Sequence, residues 1–199
     1  MKNIWMLILV FALGLTSCKN DKKDDDTDDM TTTEKTDAEY AKESEMETPK
    51  KVTVQLNSKS GSSATGTVVF KEEDGEVKMT ALLEGLEAGT HAIHIHENAD
   101  CSAEDGTSAG GHWNPTFEDH GKWGDEEGYH KGDIGNFEVD ESGNGSISMT
   151  TDEWCIGCDD NAKNILNKSV IVHQGADDFT SQPSGAAGSR VSCGGIISE

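Results

Sequence analysis

The chain has 199 residues and a formal net charge of -22 at neutral pH. Nucleic-acid phosphates would repel so acidic a protein, so the charge argues against DNA or RNA as a partner. The length fits one domain of ordinary size together with additional segments.

Residues 1–17 predict a secretory leader. Lys2 gives the positive start, and the apolar run Trp5–Leu15 is too short to span a bilayer comfortably. The run ends in Leu15-Thr16-Ser17-Cys18, which resembles a bacterial lipobox, where cleavage precedes a cysteine that is then lipidated. The alternative is an ordinary cleaved signal with Cys18 lost or free. The lipobox interpretation predicts a bacterial cell-envelope protein, held to the membrane by lipid on Cys18 and facing the periplasm or the cell surface.

Residues 18–50 form a second segment of different composition. The acidic run Asp24–Asp29 has almost nothing apolar near it. Such a stretch buries too little surface to offset its ordering entropy, which predicts a solvated, flexible tether. An interaction tail is the alternative.

Residues 51–199 show the pattern of one all-β domain. Short runs alternate apolar and polar residues, and turn signals such as Asp74-Gly75 separate them. The predicted strands are Val52–Leu56, Gly66–Phe70, Val77–Leu82, the histidine strand that follows Gly89, Ile134–Val139, Gly145–Met149 and Val170–His173. Long glycine-rich loops cover Asn98–Asp133 and Asp177–Ser192, and only Asn161–Asn167 hints at a helix. This pattern favours an antiparallel sandwich or barrel.

Six of the seven histidines are candidate metal ligands. His94 and His96 are alternate residues of a strand, so both rings point to one face. The other candidates are His112, His120, His130, His173 and the carboxylate Asp133. Three nitrogens with one oxygen suit tetrahedral zinc, whereas an all-imidazole set with an open position suits a redox-active copper. His91 has odd spacing from the pair and is interpreted as a structural, hydrogen-bonding residue.

The five cysteines predict disulfides in an exported chain. With Cys18 lipidated, four remain, and three pairings are open. Cys155 and Cys158 follow Trp154 in a Cys-x-x-Cys motif similar to that of thioredoxins. The βαβ context of that motif is absent from the pattern, so a small disulfide staple is the simpler interpretation, with a redox or metal-loading role as the alternative.

Five motifs resemble the copper/zinc superoxide dismutases, and together they span nearly all of residues 51–199. They are Gly89-Thr-His-Ala-Ile-His-Ile-His-Glu97, Gly110-Gly-His-Trp-Asn-Pro115, His130-Lys-Gly-Asp-Ile-Gly-Asn136, Val172-His-Gln-Gly-Ala-Asp-Asp178 and Gly188-Ser-Arg-Val-Ser-Cys-Gly194. The leader and tether resemble those of secreted bacterial members. The resemblance implies an eight-stranded antiparallel Greek-key β-barrel, related to immunoglobulin-like sandwiches, with long metal-binding loops. The implied activity is antioxidant: dismutation of superoxide to dioxygen and hydrogen peroxide.

The resemblance also implies the metal ligands. Copper would be held by His94, His96, His112 and His173. Zinc would be held by His112, His120, His130 and Asp133. His112 would therefore bridge the two metals and supply a proton during turnover.

Other site residues follow from the same resemblance. Asp177 would link a copper ligand to a zinc ligand, with Asp178 as the alternative for that place. Arg190 would dock the superoxide anion beside the copper. Cys101 and Cys193 would form the family disulfide. A homodimer is left open.

The chain departs from the animal enzymes in its loops. The segment between His120 and His130 is slightly longer, and residues 178–188 are fewer and contain no lysine or glutamate. The family's electrostatic guidance residues therefore do not carry over. Two other functions remain open: a metal-binding or copper-handling protein with little turnover, and a thiol-disulfide oxidoreductase built on Cys155 and Cys158.

Overall fold

The computed structural model describes residues 50–198. The predicted leader, Cys18 and nearly all of the predicted tether lie outside the described residues. Within the described part, no helix is both long enough and apolar enough to cross a membrane.

Eight strands form a closed barrel in which all neighbouring strands are antiparallel. The strands are β1 (Lys50–Ser58), β2 (Thr65–Glu73), β3 (Glu76–Glu84), β4 (Gly89–His96), β5 (Gly135–Val139), β6 (Gly145–Thr151), β7 (Ser169–His173) and β8 (Arg190–Gly195). Their order around the barrel is β1-β2-β3-β6-β5-β4-β7-β8. The crossing connections between β3 and β4 and between β6 and β7 give the Greek-key arrangement, so the predicted fold is confirmed.

Strands β1 to β3 follow from simple alternation. Val52, Val54 and Leu56 point into the core, while their neighbours in β1 are exposed. Asp74 and Gly75 join β2 to β3 with φ of 53° and 81°. Positive φ at both central residues matches the right-handed twist of a hairpin, which explains why the Asp-Gly pair predicted this turn.

Strands β4 and β7 are buried on both faces. Ile93 and Ile95 belong to the barrel core, whereas His94 and His96 point to the opposite face. That outer face is also buried, because the long loops fold over it. The barrel therefore supplies a rigid wall, and the loops close a polar compartment against its outer side.

Two predictions of local structure were wrong. Residues 161–167 form turns rather than a helix, because Asn164 makes a parallel bridge with Cys155 and Ile165 is drawn into the core. The predicted loop Asp177–Ser192 ends three residues early, since β8 begins at Arg190. The Gly194 Cα lies so close to β1 that a Cβ there would be 2.5 Å from the Gln55 carbonyl oxygen. Small residues thus allow β8 to pack closely against β1. Hydrophobic alternation along the sequence does not predict this strand.

Candidate metal centre

Backbone pairing places the first loop against strand β4. Trp113 N–H donates to the Ile95 carbonyl, and Ile95 N–H donates to the Gly132 carbonyl, both at 2.9 Å. A Cβ on Gly132 would overlap the Ile95 carbonyl oxygen and lie 3.0 Å from the Trp113 nitrogen. Gly132 therefore allows the loop backbone to lie directly against β4. His112, which precedes Trp113, and Asp133, which follows Gly132, are thereby placed beside the histidines of β4.

One group of four histidines forms at the outer face of β4. His94, His96, His112 and His173 are all buried, and their candidate ligand atoms lie within 4.8 Å of one another. The Nε2 atoms of His96 and His173 are 3.4 Å apart. Their Nδ1 atoms instead face backbone carbonyls, at 3.0 Å from Gly110 and 3.4 Å from Gly188. Each ring thus has one nitrogen oriented by the backbone and the other turned into the group.

A second buried group surrounds Asp133. The distances from its carboxylate oxygens to Nδ1 are 2.8 Å for His112, 3.0 Å for His120 and 3.3 Å for His130. Zinc–nitrogen bonds of 2.0–2.1 Å in a tetrahedron place ligand atoms about 3.3 Å apart. The spacing and the donor set of three nitrogens and one oxygen therefore fit a zinc ion.

Unpaired ring nitrogens make both groups candidate metal sites. Within the described residues, His94 Nδ1, His112 Nε2, His120 Nδ1 and His130 Nδ1 are buried and have no hydrogen-bond partner. Buried polar atoms are almost always paired, because an unpaired one costs free energy. These four atoms all point into the two groups, so ions bound there would satisfy them.

His112 belongs to both groups. Its Nδ1 faces Asp133, and its unpaired Nε2 is on the other side of the ring. The centroid of the His112 ring lies 4.1 Å from that of His94. His112 is therefore shared by the two groups, and one of its two ring nitrogens faces Asp133.

Asp177 connects the groups by a second route. Its Oδ2 is 2.8 Å from His94 Nε2, and its Oδ1 is 2.9 Å from His120 Nε2. Burial opposes ionisation, but these hydrogen bonds from His120 and His94 hold the pKa of Asp177 well below its usual range. The alternative residue, Asp178, is exposed and caps the turn formed by Thr180 and Ser181. The structure thus places Asp177, and not Asp178, between the groups.

Burial sets the charge of the first group. It lowers the pKa of His96 and His173 far below the usual value, and neighbouring histidines act in the same direction. Burial also lowers the pKa of His112 to about 4. Neutral rings offer lone pairs to a cation, so these residues are ready to act as ligands.

His120 behaves differently from those three histidines. Burial would lower its pKa, but the Asp133 carboxylate beside Nδ1 and the hydrogen bond between Nε2 and Asp177 outweigh this effect and raise the pKa to about 9. A metal ion in the second group would have to displace that proton.

Arg190, the first residue of β8, lies at the edge of the first group. Its Nη1 donates to the Gly106 carbonyl at 2.8 Å, and its Nη2 donates to the Gly110 carbonyl at 2.7 Å. The guanidinium is half-buried and has further N–H groups beyond these two bonds. It can therefore hold an anion beside the histidines.

Two residues that the sequence did not single out fix His120. The Gln182 side chain accepts from His120 N–H at 2.9 Å and donates to the His120 carbonyl at 2.8 Å. Gly185 has φ of 67°, and a Cβ there would overlap the Asp177 carboxylate and lie 2.7 Å from His120 Nε2. A glycine in a loop can indicate a position with positive φ, so the sequence gives a weak signal for Gly185. Nothing in the sequence pattern distinguishes Gln182.

His91 lies outside both groups, as its spacing predicts. Its Nδ1 is 2.9 Å from the His173 carbonyl oxygen, and its Nε2 is 2.9 Å from the Glu87 carbonyl oxygen. Both ring nitrogens are occupied by backbone contacts, so the role of His91 is structural.

Two disulfides select one of the three open pairings. Cys101–Cys193 joins the loop after β4 to β8, with a sequence separation of 92. Cys155–Cys158 closes a local ring in the segment after β6.

Comparisons with known proteins agree with this geometry. Residues 64–196 match the family model described as copper/zinc superoxide dismutase. An extracellular copper/zinc superoxide dismutase of Caenorhabditis elegans is 36% identical over 137 residues, which cover 66% of this chain and 60% of that protein. The superoxide dismutase-like protein YojM of Bacillus subtilis is 33% identical over 152 residues, which cover 72% of this chain and 74% of YojM.

The fold is also similar to solved structures. A superoxide dismutase-like protein from Bacillus subtilis has a TM-score of 0.65 and 31% identity, and the match covers 73% of this chain and 97% of that one. The structure of the clock protein EA4 has a TM-score of 0.64 and 31% identity, with coverage of 75% and 96%.

Proposed function

This chain belongs to the copper/zinc superoxide dismutase family, and from that premise we propose that it dismutes superoxide at a paired copper and zinc centre. Two superoxide anions and two protons would give one dioxygen and one hydrogen peroxide. The observation that carries the proposal is the sharing of His112 between two complete, buried ligand groups. Membership alone does not require both groups to be intact, whereas here every position is filled.

The donor atoms of the two groups suit two different metals. His94, His96, His112 and His173 would hold copper, and His112, His120, His130 and Asp133 would hold zinc. Copper supplies a reversible one-electron step, and zinc supplies a fixed charge without redox chemistry of its own. The Nε2 of His112, which has no hydrogen-bond partner among the described residues, would hold or release a proton beside the substrate. His112 would thus bridge the metals and also act as a proton carrier.

Arg190 provides the anion site. A guanidinium next to the first group attracts superoxide, and its bonds to Gly106 and Gly110 hold it in place. Among residues 50–198, no carboxylate forms a salt bridge with it. Asp177 orients His94 and His120 together, so the geometry of the two groups is mechanically linked.

A metal-binding protein with little turnover is the second candidate, because the Bacillus subtilis relatives are described only as superoxide dismutase-like. Complete ligand groups and Arg190 favour the enzyme. Superoxide decay in the presence of the metal-loaded full chain distinguishes the two, with His173→Ala as the comparison. The enzyme predicts rapid, metal-dependent decay that the variant loses. Equal and metal-independent rates would exclude it.

Export to the cell envelope forms part of the proposal. Two disulfides suit an oxidising compartment, and the Caenorhabditis elegans relative is described as extracellular. The membrane would be a partner through lipid on Cys18, in keeping with the lipobox resemblance. Mass analysis of the amino terminus of the exported protein tests this, since a diacylated Cys18 is expected and an unmodified terminus would contradict it.

A further inference from the structure

We propose that Cys155–Cys158 is a thiol-disulfide exchange site that accepts two electrons from a dithiol partner with a basic surface. This proposal does not depend on the proposed superoxide chemistry. It rests on four features of the segment after β6: its unequal sulfur exposure, its backbone support, its short disulfide ring and its surface charge.

The two sulfurs differ in exposure. Cys155 is buried, whereas Cys158 is partly exposed and follows the exposed Gly157. An attacking thiolate can therefore reach Cys158 first, and Cys155 would be the leaving group. Exchange depends on such access to one sulfur.

The backbone holds both cysteines without help from the disulfide. Cys155 N–H donates to the Lys163 carbonyl at 2.8 Å, and the Cys155 carbonyl accepts from Ile165 N–H at 3.1 Å. Asn164 accepts from Gly157 N–H and donates to the Cys158 carbonyl, both at 3.0 Å. Buried Trp154 and Ile156 also anchor the segment in the core. Opening the bond would therefore leave the two thiols next to each other and ready to close again.

The disulfide also adds little to fold stability by chain constraint. It joins residues only 3 apart in sequence, whereas Cys101–Cys193 closes a separation of 92 and has one sulfur on a fully buried strand residue. The stability that a disulfide contributes through loop-closure entropy grows with the length of the closed chain. Reduction of the short Cys155–Cys158 ring should therefore cost the fold less stability than reduction of Cys101–Cys193. The long-range pair is the structural one, and the local pair is free to cycle.

Charge around the site selects the partner. Asp152, Asp159 and Asp160 flank the two cysteines and are exposed. They outnumber the nearby exposed cation Lys163. Glu153 is paired with Lys131 and adds little to this charge. A dithiol protein with basic residues beside its reactive thiol would be attracted to this surface, and an acidic one would be repelled.

The exchange balances as follows. A partner thiolate attacks Cys158 Sγ, a mixed disulfide forms, and Cys155 leaves as a thiolate that takes up a proton. The second partner thiol then attacks the partner sulfur of the mixed disulfide, releasing Cys158 as a thiolate that is protonated in turn. The partner ends as a disulfide, and this chain gains two electrons and two protons.

Dithiothreitol at stepped ratios of reduced to oxidised form tests the first part on the metal-loaded full chain. Maleimide labelling and peptide mapping would locate the thiols. We expect Cys155–Cys158 to open at a ratio about tenfold lower than Cys101–Cys193, with metal content and near-UV circular dichroism unchanged. A pair that stays oxidised until Cys101–Cys193 opens would overturn the proposal.

Two matched controls separate exchange from a staple. The variant C155S/C158S should fold and keep its metals, whereas C101S/C193S should lose much of its thermal stability. Loss of folding or metals in C155S/C158S would show a structural staple instead.

Cys-x-x-Cys peptides flanked by lysine should reduce Cys155–Cys158 about tenfold faster than glutamate-flanked ones at low salt. Equal rates would overturn the assignment of a basic partner.

Discussion

His96 and Arg190 are bound to the same backbone oxygen. His96 Nδ1 and Arg190 Nη2 lie 3.0 Å and 2.7 Å from the Gly110 carbonyl. A Cβ on Gly110 would lie 2.8 Å from both the Asn98 and the Glu97 side chains, so glycine allows the carbonyl to take this place. One backbone group thus sets the position of the anion site relative to a ligand of the first group.

Replacement of Arg190 tests the anion site. Arg190→Ala should lower the rate of superoxide decay about 10- to 100-fold, because a hydrogen bond to a charged group is worth about 1.5–3 kcal/mol. Arg190→Lys should give an intermediate rate, since it keeps the charge but loses the two-point attachment. Pulse-radiolysis kinetics with copper analysis would measure this. A rate that falls only in proportion to lost copper would assign Arg190 to holding His96 instead.

Gln182 should control the retention of zinc. Gln182→Ala removes both hydrogen bonds to the His120 backbone, so zinc should transfer to a chelator several-fold faster than from the wild type. The control is Gln55→Ala, since Gln55 is exposed on β1. Absorbance of a zinc-chelator complex would follow the transfer. Identical transfer rates for the two variants would show that the Gln182 contacts do not hold His120.

Gly185 should be intolerant of any side chain. Gly185→Ala would drive a methyl group into the Asp177 carboxylate, with a cost of about 1–3 kcal/mol beyond the strain of positive φ. Gly61→Ala is the matched control, because Gly61 has φ of 71° and open space around its Cα. Urea unfolding of both metal-free variants measures the difference in free energy. Equal destabilisation would mean that the loop moves aside freely.

Zinc binding should release a proton at pH 7. His120 has its pKa raised to about 9, so its ring is protonated at pH 7 and must become neutral to bind zinc. Apparent zinc affinity should therefore rise about tenfold per pH unit below that pKa from this group alone, and the gain should fade above it. Calorimetric titration in buffers of different ionisation enthalpy would count the protons. Zinc binding with no proton release at pH 7 would contradict the assignment.

The sequence predicted the members of the two groups better than the residues that hold them in place. His94 and His96 are predicted to share a face because strand alternation is a local property. His112, His120, His130 and Asp133 lie in a loop without periodicity, and only their order in the motifs brought them together. The amide contacts of Gln182 depend on how one loop lies on another, which no spacing rule encodes.

The same distinction explains the errors in the fold. The turn at Asp74-Gly75 is dictated by the two residues that form it. The conformation of the segment 161–167 is set instead by contacts outside it, since Asn164 bridges to Cys155 and donates to the Cys158 carbonyl. Helix propensity is a weak prior that such tertiary contacts override.

Magnetic coupling through His112 tests the central claim most directly. With Cu²⁺ in the first group and Co²⁺ in the second, a shared imidazole would couple the two spins. The Cu²⁺ signal in electron paramagnetic resonance should then be broadened or suppressed, compared with a copper and zinc sample of equal copper content. A full, unchanged copper signal in a protein that holds both ions would show that His112 does not join them.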